Sequence, residues 1–526
     1  MPAGEPMNLN PASTPTPHPS ALSRMIAEAG RHLNQADYSP AIETLERALR
    51  LDPANCKILL DLGYANALAY DHSAAGRWFE QALQLAPQRT GMLMAIAERW
   101  SDVRQFDTSG KAYEQVLEQA NIPVGAFYAL AKIYLRQRRL DKAAEVAERA
   151  MQLHGAHEAA MLTRAKVYRE TGQMEEAEKM LRMVVAKPGC DAQARATALY
   201  ELGAVLDRQQ RFDEAMAALL DAKAILRMTA EPARRILRMK QASMKEAQTT
   251  MSPATVERWR KVGESELQPR RKLALLCGHA RSGTTLLEYV LDAHPQIVSA
   301  DETSVFQSKA YSLIIRNCST KASIVSGLDW ITPRNLRHIR TEYFRGMESF
   351  LGLPIGDRLL IDKNPALTSD IPAICCILPE ARFLVMLRDP RDVCLSCFMQ
   401  QAPVIPDTVP WLSLEDTIKH YVLLADMWLA LKPCVGSAAI EVRYEDLVDN
   451  LEAGARRVLD FLGVGWDERV LRFNEHAQTK TIRSPTYAEV TRPVFKTAIG
   501  RWRRYQKYFE PHLEQLAPTL RALGYE

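Results

Sequence analysis

Five short polar clusters in this sequence have the residue types to do chemistry, and each follows a short apolar run. Leu273–Cys277 leads into Gly278-His279-Ala280-Arg281-Ser282-Gly283-Thr284-Thr285, and Gln296–Ala300 into Asp301-Glu302-Thr303. Leu359–Ile361 leads into Asp362-Lys363-Asn364-Pro365, Arg382–Leu387 into Arg388-Asp389-Pro390-Arg391-Asp392, and Ala439–Val442 into Arg443-Tyr444-Glu445-Asp446. Cations, hydroxyls and a carboxylate in that combination suit a multiply anionic ligand. The first cluster is the most informative. Gly278-x4-Gly283 has the spacing of a P-loop, whose backbone N–H groups and helix N-terminus cradle phosphate. Thr284 stands where the P-loop lysine belongs and no magnesium aspartate is evident, so phosphate binding without magnesium-assisted phosphoryl transfer is the expectation. The cation lies inside the loop, at Arg281. A cation at a helix start opposes the helix dipole unless an anion is present.

These clusters need a frame that brings them together. Short apolar runs separated by helical crossovers predict a parallel sheet with helices on both faces, and such a sheet binds ligands beyond the carboxyl ends of its strands. On that frame all five clusters share one edge. His279, His294 and His420 lack clustered ligand partners and read as packing or hydrogen-bonding residues, and no metal is expected.

The first half of the chain is organised differently. Ala41, Ala75, Ser109, Ala143 and Ala177 recur every 34 residues, as do Ala48, Ala82, Val116, Ala150 and Val184. Leu45, Phe79, Tyr113, Ala147 and Leu181 keep the same step between them, and Pro53 and Pro87 fall where a helix should stop. A 34-residue period with small, aromatic and proline marks is the tetratricopeptide signature. The fold class expected is therefore an all-α tetratricopeptide solenoid followed by a P-loop-like α/β domain with a central parallel sheet. Residues 1–20 carry six prolines and read as a disordered lead, 22–228 as about six repeats able to fold alone, 229–270 as a helical linker, and 271–526 as the α/β domain.

Arg281-Ser282-Gly283-Thr284-Thr285-Leu286 resembles the 5′-phosphosulfate loop of sulfotransferases that use 3′-phosphoadenosine 5′-phosphosulfate. Arg388 with Ser396 eight residues on resembles their 3′-phosphate motif. The resemblance is to the tyrosylprotein branch in particular. It runs on through Leu291-Asp292-Ala293-His294-Pro295, Glu302-Thr303, Lys363, the stretch 442–448, and the segment from Arg483-Ser484 to Arg501-Trp502, so it covers about 270–526.

The resemblance implies roles. The 281–286 loop would hold the 5′-phosphosulfate with Arg281 near the bridging oxygen, and Arg388, Ser396 and Tyr444 would hold the 3′-phosphate. Glu302 would be the base for the acceptor, Lys363 and Ser484 would stabilise the transferring group, and Arg501 stands where the family has a cofactor-contacting lysine. Gln400 departs from the branch, which has another 3′-phosphate arginine there, and leaves open whether Arg391 takes that duty. The residues alone leave other readings open: Glu302 could cap a following helix, and Arg388 could pair with Asp389 or Asp392. Sulfuryl transfer needs mainly positioning and charge stabilisation, which fixed cations and oriented amides can supply.

Composition bounds the rest. Hydrophobic residues at 47% are too many for a disordered chain, and a net charge of +4 without a long basic run argues against nucleic acid. The longest apolar stretch, Tyr421 to Val435, is interrupted by Asp426, Lys432 and Pro433, so no membrane span is expected. No Lys or Arg precedes Arg24, which does not read as a signal peptide, and nine scattered cysteines read as free thiols of a cytoplasmic protein. The function expected is sulfuryl transfer to a hydroxyl on a peptide, glycan or small molecule, releasing adenosine 3′,5′-bisphosphate, with the repeats recruiting acceptor or partner. The competing readings are a P-loop kinase and a repeat scaffold whose second domain binds nucleotide without turnover.

Overall fold

The computed structural model describes residues 21–317, 324–478, 491, 494 and 496–526. It contains two compact units, one ending at Pro87 and one beginning at Gln88. The described residues of the first form four helices: α1 (Ala21–Asn34), α2 (Tyr38–Leu51), α3 (Cys56–Leu68) and α4 (His72–Leu85). Asn55 and Asp71 cap α3 and α4 by accepting from backbone N–H groups one turn on, a contact that contributes about 0.5–2 kcal/mol each. The small residues of the 34-residue pattern have a steric purpose here. A Cβ on Gly63 would lie 2.4 Å from the Phe79 ring, so only glycine lets α3 and α4 approach as they do.

The second unit continues the pattern through α5 (Arg89–Asp102), α6 (Phe106–Leu117), α7 (Val124–Arg136), α8 (Leu140–His154), α9 (Glu158–Glu170), α10 (Met174–Ala186), α11 (Ala192–Arg208) and α12 (Phe212–Arg227). Gly203 and Leu219 repeat the Gly63–Phe79 packing. Ser109 tolerates its alanine column because its hydroxyl donates to the Ala97 carbonyl at 2.7 Å. Two further helices follow, α13 (Glu231–Thr250) and α14 (Pro253–Glu266). Of these, α13 packs against the long helix Leu414–Val435, and Arg227 at the end of α12 donates to the Leu412 carbonyl at 3.0 and 2.7 Å. The repeat helices from Gln88 onward thus share one compact unit with the sheet.

The sheet has five parallel strands in the order β2-β3-β1-β4-β5: β1 (Leu273–Gly278), β2 (Ile297–Asp301), β3 (Leu359–Lys363), β4 (Arg382–Leu387) and β5 (Ala439–Arg443). Every residue of β1 is buried, as an apolar run between two neighbours must be. The strand order reverses at β1, so the loop after it opens into the crevice beside helix α15 (Thr284–Asp292). Asp301 and Lys363, expected just past their strands, are the last paired residues of β2 and β3 and lie opposite each other. Cys394 and Cys397 are buried thiols on the helix Pro390–Met399, and burial drives both toward the neutral form. Among the described residues no helix is long and apolar enough to cross a membrane.

Candidate functional site

One cavity of about 820 Å³ opens at the carboxyl edge of the sheet, and most of the residues expected to act on the ligand line it: Arg281, Gly283, Thr284, Thr285, Leu286, Glu302, Arg388, Ser396, Tyr444 and Arg501. Gln400 lines it too. Ser282 is buried within the loop, its N–H donating to the His279 carbonyl at 3.2 Å. Lys363 lies beneath the cavity rather than in its wall, and Ser484 falls outside the described residues.

The β1–α15 loop is shaped by two glycines and one strained residue. Gly278 has φ 132°, and a Cβ there would lie 2.5 Å from the Met386 carbonyl oxygen of β4. Gly283 has φ 96° and packs against the Tyr444 ring, with a Cβ at 2.4 Å. Arg281 takes a left-handed φ of 70°, a conformation that L residues seldom adopt. Thr368 fixes the loop's start: Gly278 N–H donates to its hydroxyl at 2.9 Å, and the hydroxyl donates to the Gly278 carbonyl at 2.8 Å.

Arg281 Nε donates to Ser396 Oγ at 3.0 Å, so two residues expected at opposite phosphates meet directly. Arg388 is buried at the end of β4. It donates to the Arg281 carbonyl at 3.1 Å and to the Ala498 carbonyl at 2.5 Å, and its guanidinium lies 4.9 Å from the Tyr444 ring centre. Its Nε is buried and has no hydrogen-bond partner among the described residues, which leaves a strong donor beside the phosphate-type loop. Asp389 pairs instead with Arg391, which forks onto it at 2.9 and 2.8 Å and covers Trp502. Arg391 is not among the residues that line the cavity. Asp392 accepts from the N–H groups of Gly500 at 2.6 Å and Trp502 at 2.8 Å, which pins the backbone that carries Arg501.

The other wall is built on buried charge. Lys363 Nζ, wholly buried, donates to Asp301 Oδ1 at 2.6 Å and Glu302 Oε1 at 3.3 Å, and lies 3.2 Å from Glu288 Oε2. Burial alone would drive off its proton, but Asp301, Glu288 and Glu302 together hold it firmly charged. Glu288 is pushed well up by burial and by Asp301. Burial also pushes Glu302 up, yet Lys363 and Arg104 outweigh it and its carboxyl sits below the ordinary range. Glu302 is therefore an ionised carboxylate on the cavity wall.

An extended chain would send Asp301 and Glu302 to opposite sides. The structure corrects that expectation. Glu302 has φ 46° and donates its N–H to the Lys363 carbonyl at 2.8 Å, and this turn brings both carboxylates to one ammonium. Lys363, with no exposed surface, touches both of these carboxylates from beneath the cavity.

Several residues of the site have little or no signature in the sequence. Glu288 carries one faint sign, a carboxylate on the short apolar helix α15. Arg104 and Asp207 carry none. They belong to the repeat helices, yet Arg104 donates to Glu302 at 3.0 Å, and Asp207 accepts from Arg501 at 2.6 Å and from the Tyr505 hydroxyl at 2.7 Å. Helix α13 also lines the cavity through Leu237, Lys240, Ser243, Met244 and Ala247, beside Tyr311 and Ile324 of the segment after Ser304.

Residues 274–468 match the family model described as the sulfotransferase family, and residues 26–90, 101–158 and 134–197 match tetratricopeptide repeats. An uncharacterized protein of Aquifex aeolicus is 23% identical over 66% of this chain and 44% of its own length. Protein-tyrosine sulfotransferase A of Caenorhabditis elegans is 28% identical over 47% of this chain and 66% of its own. The chain spans less than two thirds of the length of these two curated relatives. A solved sulfotransferase domain from the Synechococcus PCC 7002 olefin synthase is 22% identical, covering 45% of this chain and 90% of that one, with a TM-score of 0.33. The chain thus joins tetratricopeptide repeats to a sulfotransferase-family domain.

Proposed function

We propose that this protein is a sulfotransferase that moves a sulfuryl group from 3′-phosphoadenosine 5′-phosphosulfate to a hydroxyl. The observation that carries the reading is one cavity lined together by a phosphate-type loop, by Arg388 and by the ionised carboxylate of Glu302. Matches to the sulfotransferase family and to protein-tyrosine sulfotransferases support it. The donor supplies the activated sulfuryl group, and the chain's residues supply the rest. The loop 281–286 and the N-terminus of α15 bind the 5′ end, while Arg388, Ser396 and Tyr444 bind the 3′-phosphate. Arg281 and Arg501 add positive charge where the transferring group must sit. Glu302 takes the acceptor's proton as it attacks, work for which a positioned carboxylate contributes about 10²–10⁴-fold in rate. Lys363 holds Glu302 from below.

Peptide tyrosine is the first acceptor to test, because it is what the relatives' names specify. Small phenols and glycans are the alternatives, and the repeats are proposed to bind a protein or peptide partner. Cysteine usage supports a cytoplasmic site of action. The test is thermal stabilisation by adenosine 3′,5′-bisphosphate, followed by radiolabelled donor against a panel of tyrosine peptides, phenols and glycans. Stabilisation by ATP with magnesium in its place would move the protein to the kinases, and nucleotide binding without transfer to any acceptor would leave a binding scaffold.

A further inference from the structure

The turn between α5 and α6 sends a side chain from the repeats into the transferase site. Ala36, Tyr70, Arg104, Arg138 and Gly172 fall 34 residues apart, and each has a left-handed φ, between 55° and 86°. The repeat geometry therefore fixes this backbone position, and the sequence chooses which side chain occupies it. At Arg104 that side chain crosses 198 residues of sequence to donate from Nη1 to Glu302 Oε2 at 3.0 Å. The other oxygen of Glu302 receives Lys363 at 3.3 Å. Arg104 and Glu302 both line the cavity, and the arginine side chain is 37% exposed.

We propose that Arg104 is a positioning residue for the transfer: it fixes one oxygen of Glu302, so that the repeat helices form a working wall of the active centre. The inference rests on the reading of Glu302 as the base. A base must aim a lone pair at the acceptor hydroxyl, and a carboxylate offers about four lone-pair sites on its two oxygens. Arg104 and Lys363 each occupy one oxygen and leave each a site for the acceptor. Lys363 cannot hold the geometry alone, because it is shared with Asp301 and Glu288. The charged groups acting on Glu302 are Lys363, Asp301 and Arg104. Asp301 opposes ionisation and both cations favour it, so loss of Arg104 must make the carboxylate easier to protonate.

The experiment uses the full chain with ¹³C-labelled glutamate carboxyls, the Glu302 signal being identified by its loss in E302Q. In R104Q the Glu302 titration midpoint should rise by about one pH unit. R104M, which keeps the packing of the stem, should give the same rise, and R104K should restore most of the original value. Stabilisation by adenosine 3′,5′-bisphosphate should be unchanged in all three. Equal midpoints in the wild type and R104M, with native circular dichroism, would overturn the proposal. Absence of nucleotide stabilisation in the wild type would instead defeat the sulfotransferase reading, and the titration would still report the Arg104–Glu302 contact.

Discussion

At the end of the cavity proposed for the donor the wall is the loop after β1, whereas at the end proposed for the base it rests on a cluster of buried ions. The donor end is a continuous loop from Gly278 to Thr285, bent by two glycines and Arg281 and closed over Tyr444. Its partners, Arg388 and Ser396, come from the next strand and helix in the sheet. The base end is assembled from separate places: Arg104 in a repeat turn, Glu288 on α15, Asp301 and Glu302 at the end of β2, and Lys363 at the end of β3. Oriented amides cost little to bury because the helix and turn already satisfy their other groups. A buried ammonium is held by its carboxylate neighbours together, and removing the ammonium leaves all of them uncompensated. The donor end should therefore lose affinity in parts, whereas the base end should fail as a unit.

The largest effect expected is on turnover. Glu302→Gln keeps shape but removes basicity, so turnover should fall by about 10²–10⁴-fold while adenosine 3′,5′-bisphosphate binds as before. Near-normal turnover in this variant would mean that the base lies elsewhere. Asp301→Asn should reduce turnover to a lesser degree, acting through Lys363.

Next is the integrity of the base end. Lys363→Met leaves three carboxylates without their common cation, and breaking a buried pair of this kind costs about 3–5 kcal/mol. Urea unfolding of the full chain should register that loss. If stability were unchanged, the charge cluster would not be what holds this wall.

The donor end should respond more gently. Arg388→Ala removes charge-assisted hydrogen bonds worth about 1.5–3 kcal/mol, so calorimetry should show adenosine 3′,5′-bisphosphate weakening by about 10–150-fold. Adenosine 5′-monophosphate should lose less, since only the anchoring of the Arg281 carbonyl is then disturbed. Equal losses for the two nucleotides would take Arg388 off the 3′-phosphate.

The last effect is a pH dependence along the cavity wall. Burial lowers His279 to about 4, with His420 adding to it, and burial lowers His420 to about 4. In the unfolded chain both protonate near about 6.5. Between those values the unfolded state binds more protons, so stability is complete above about pH 6.5 and falls as pH drops toward 4. Each histidine contributes a slope of about 1.4 kcal/mol per pH unit. Melting temperatures at pH 7 and pH 5 should therefore differ less in the H279Q/H420Q double variant than in the wild type. An identical pH response would show that these two rings do not carry it.

What the sequence determined by itself was whatever is local or periodic. The 34-residue columns specify paired helices because small residues must recur wherever two helices touch, as Gly63 against Phe79 and Gly203 against Leu219 make plain. The run from Leu273 to Thr285 specifies strand, phosphate-type loop and helix within one stretch of chain, so that end of the site is legible in the order of its residues. Tertiary structure alone decided the rest. The turn at Glu302 cancels the strand alternation that would have separated it from Asp301, and it depends on a hydrogen bond to Lys363 across a neighbouring strand. Arg104 and Asp207 sit at ordinary repeat positions and acquire their partners only when the repeat helices pack against the sheet. Contacts between residues about two to three hundred positions apart leave no spacing in the sequence, because what brings those residues together is the packing of whole elements and not the path of the chain between them.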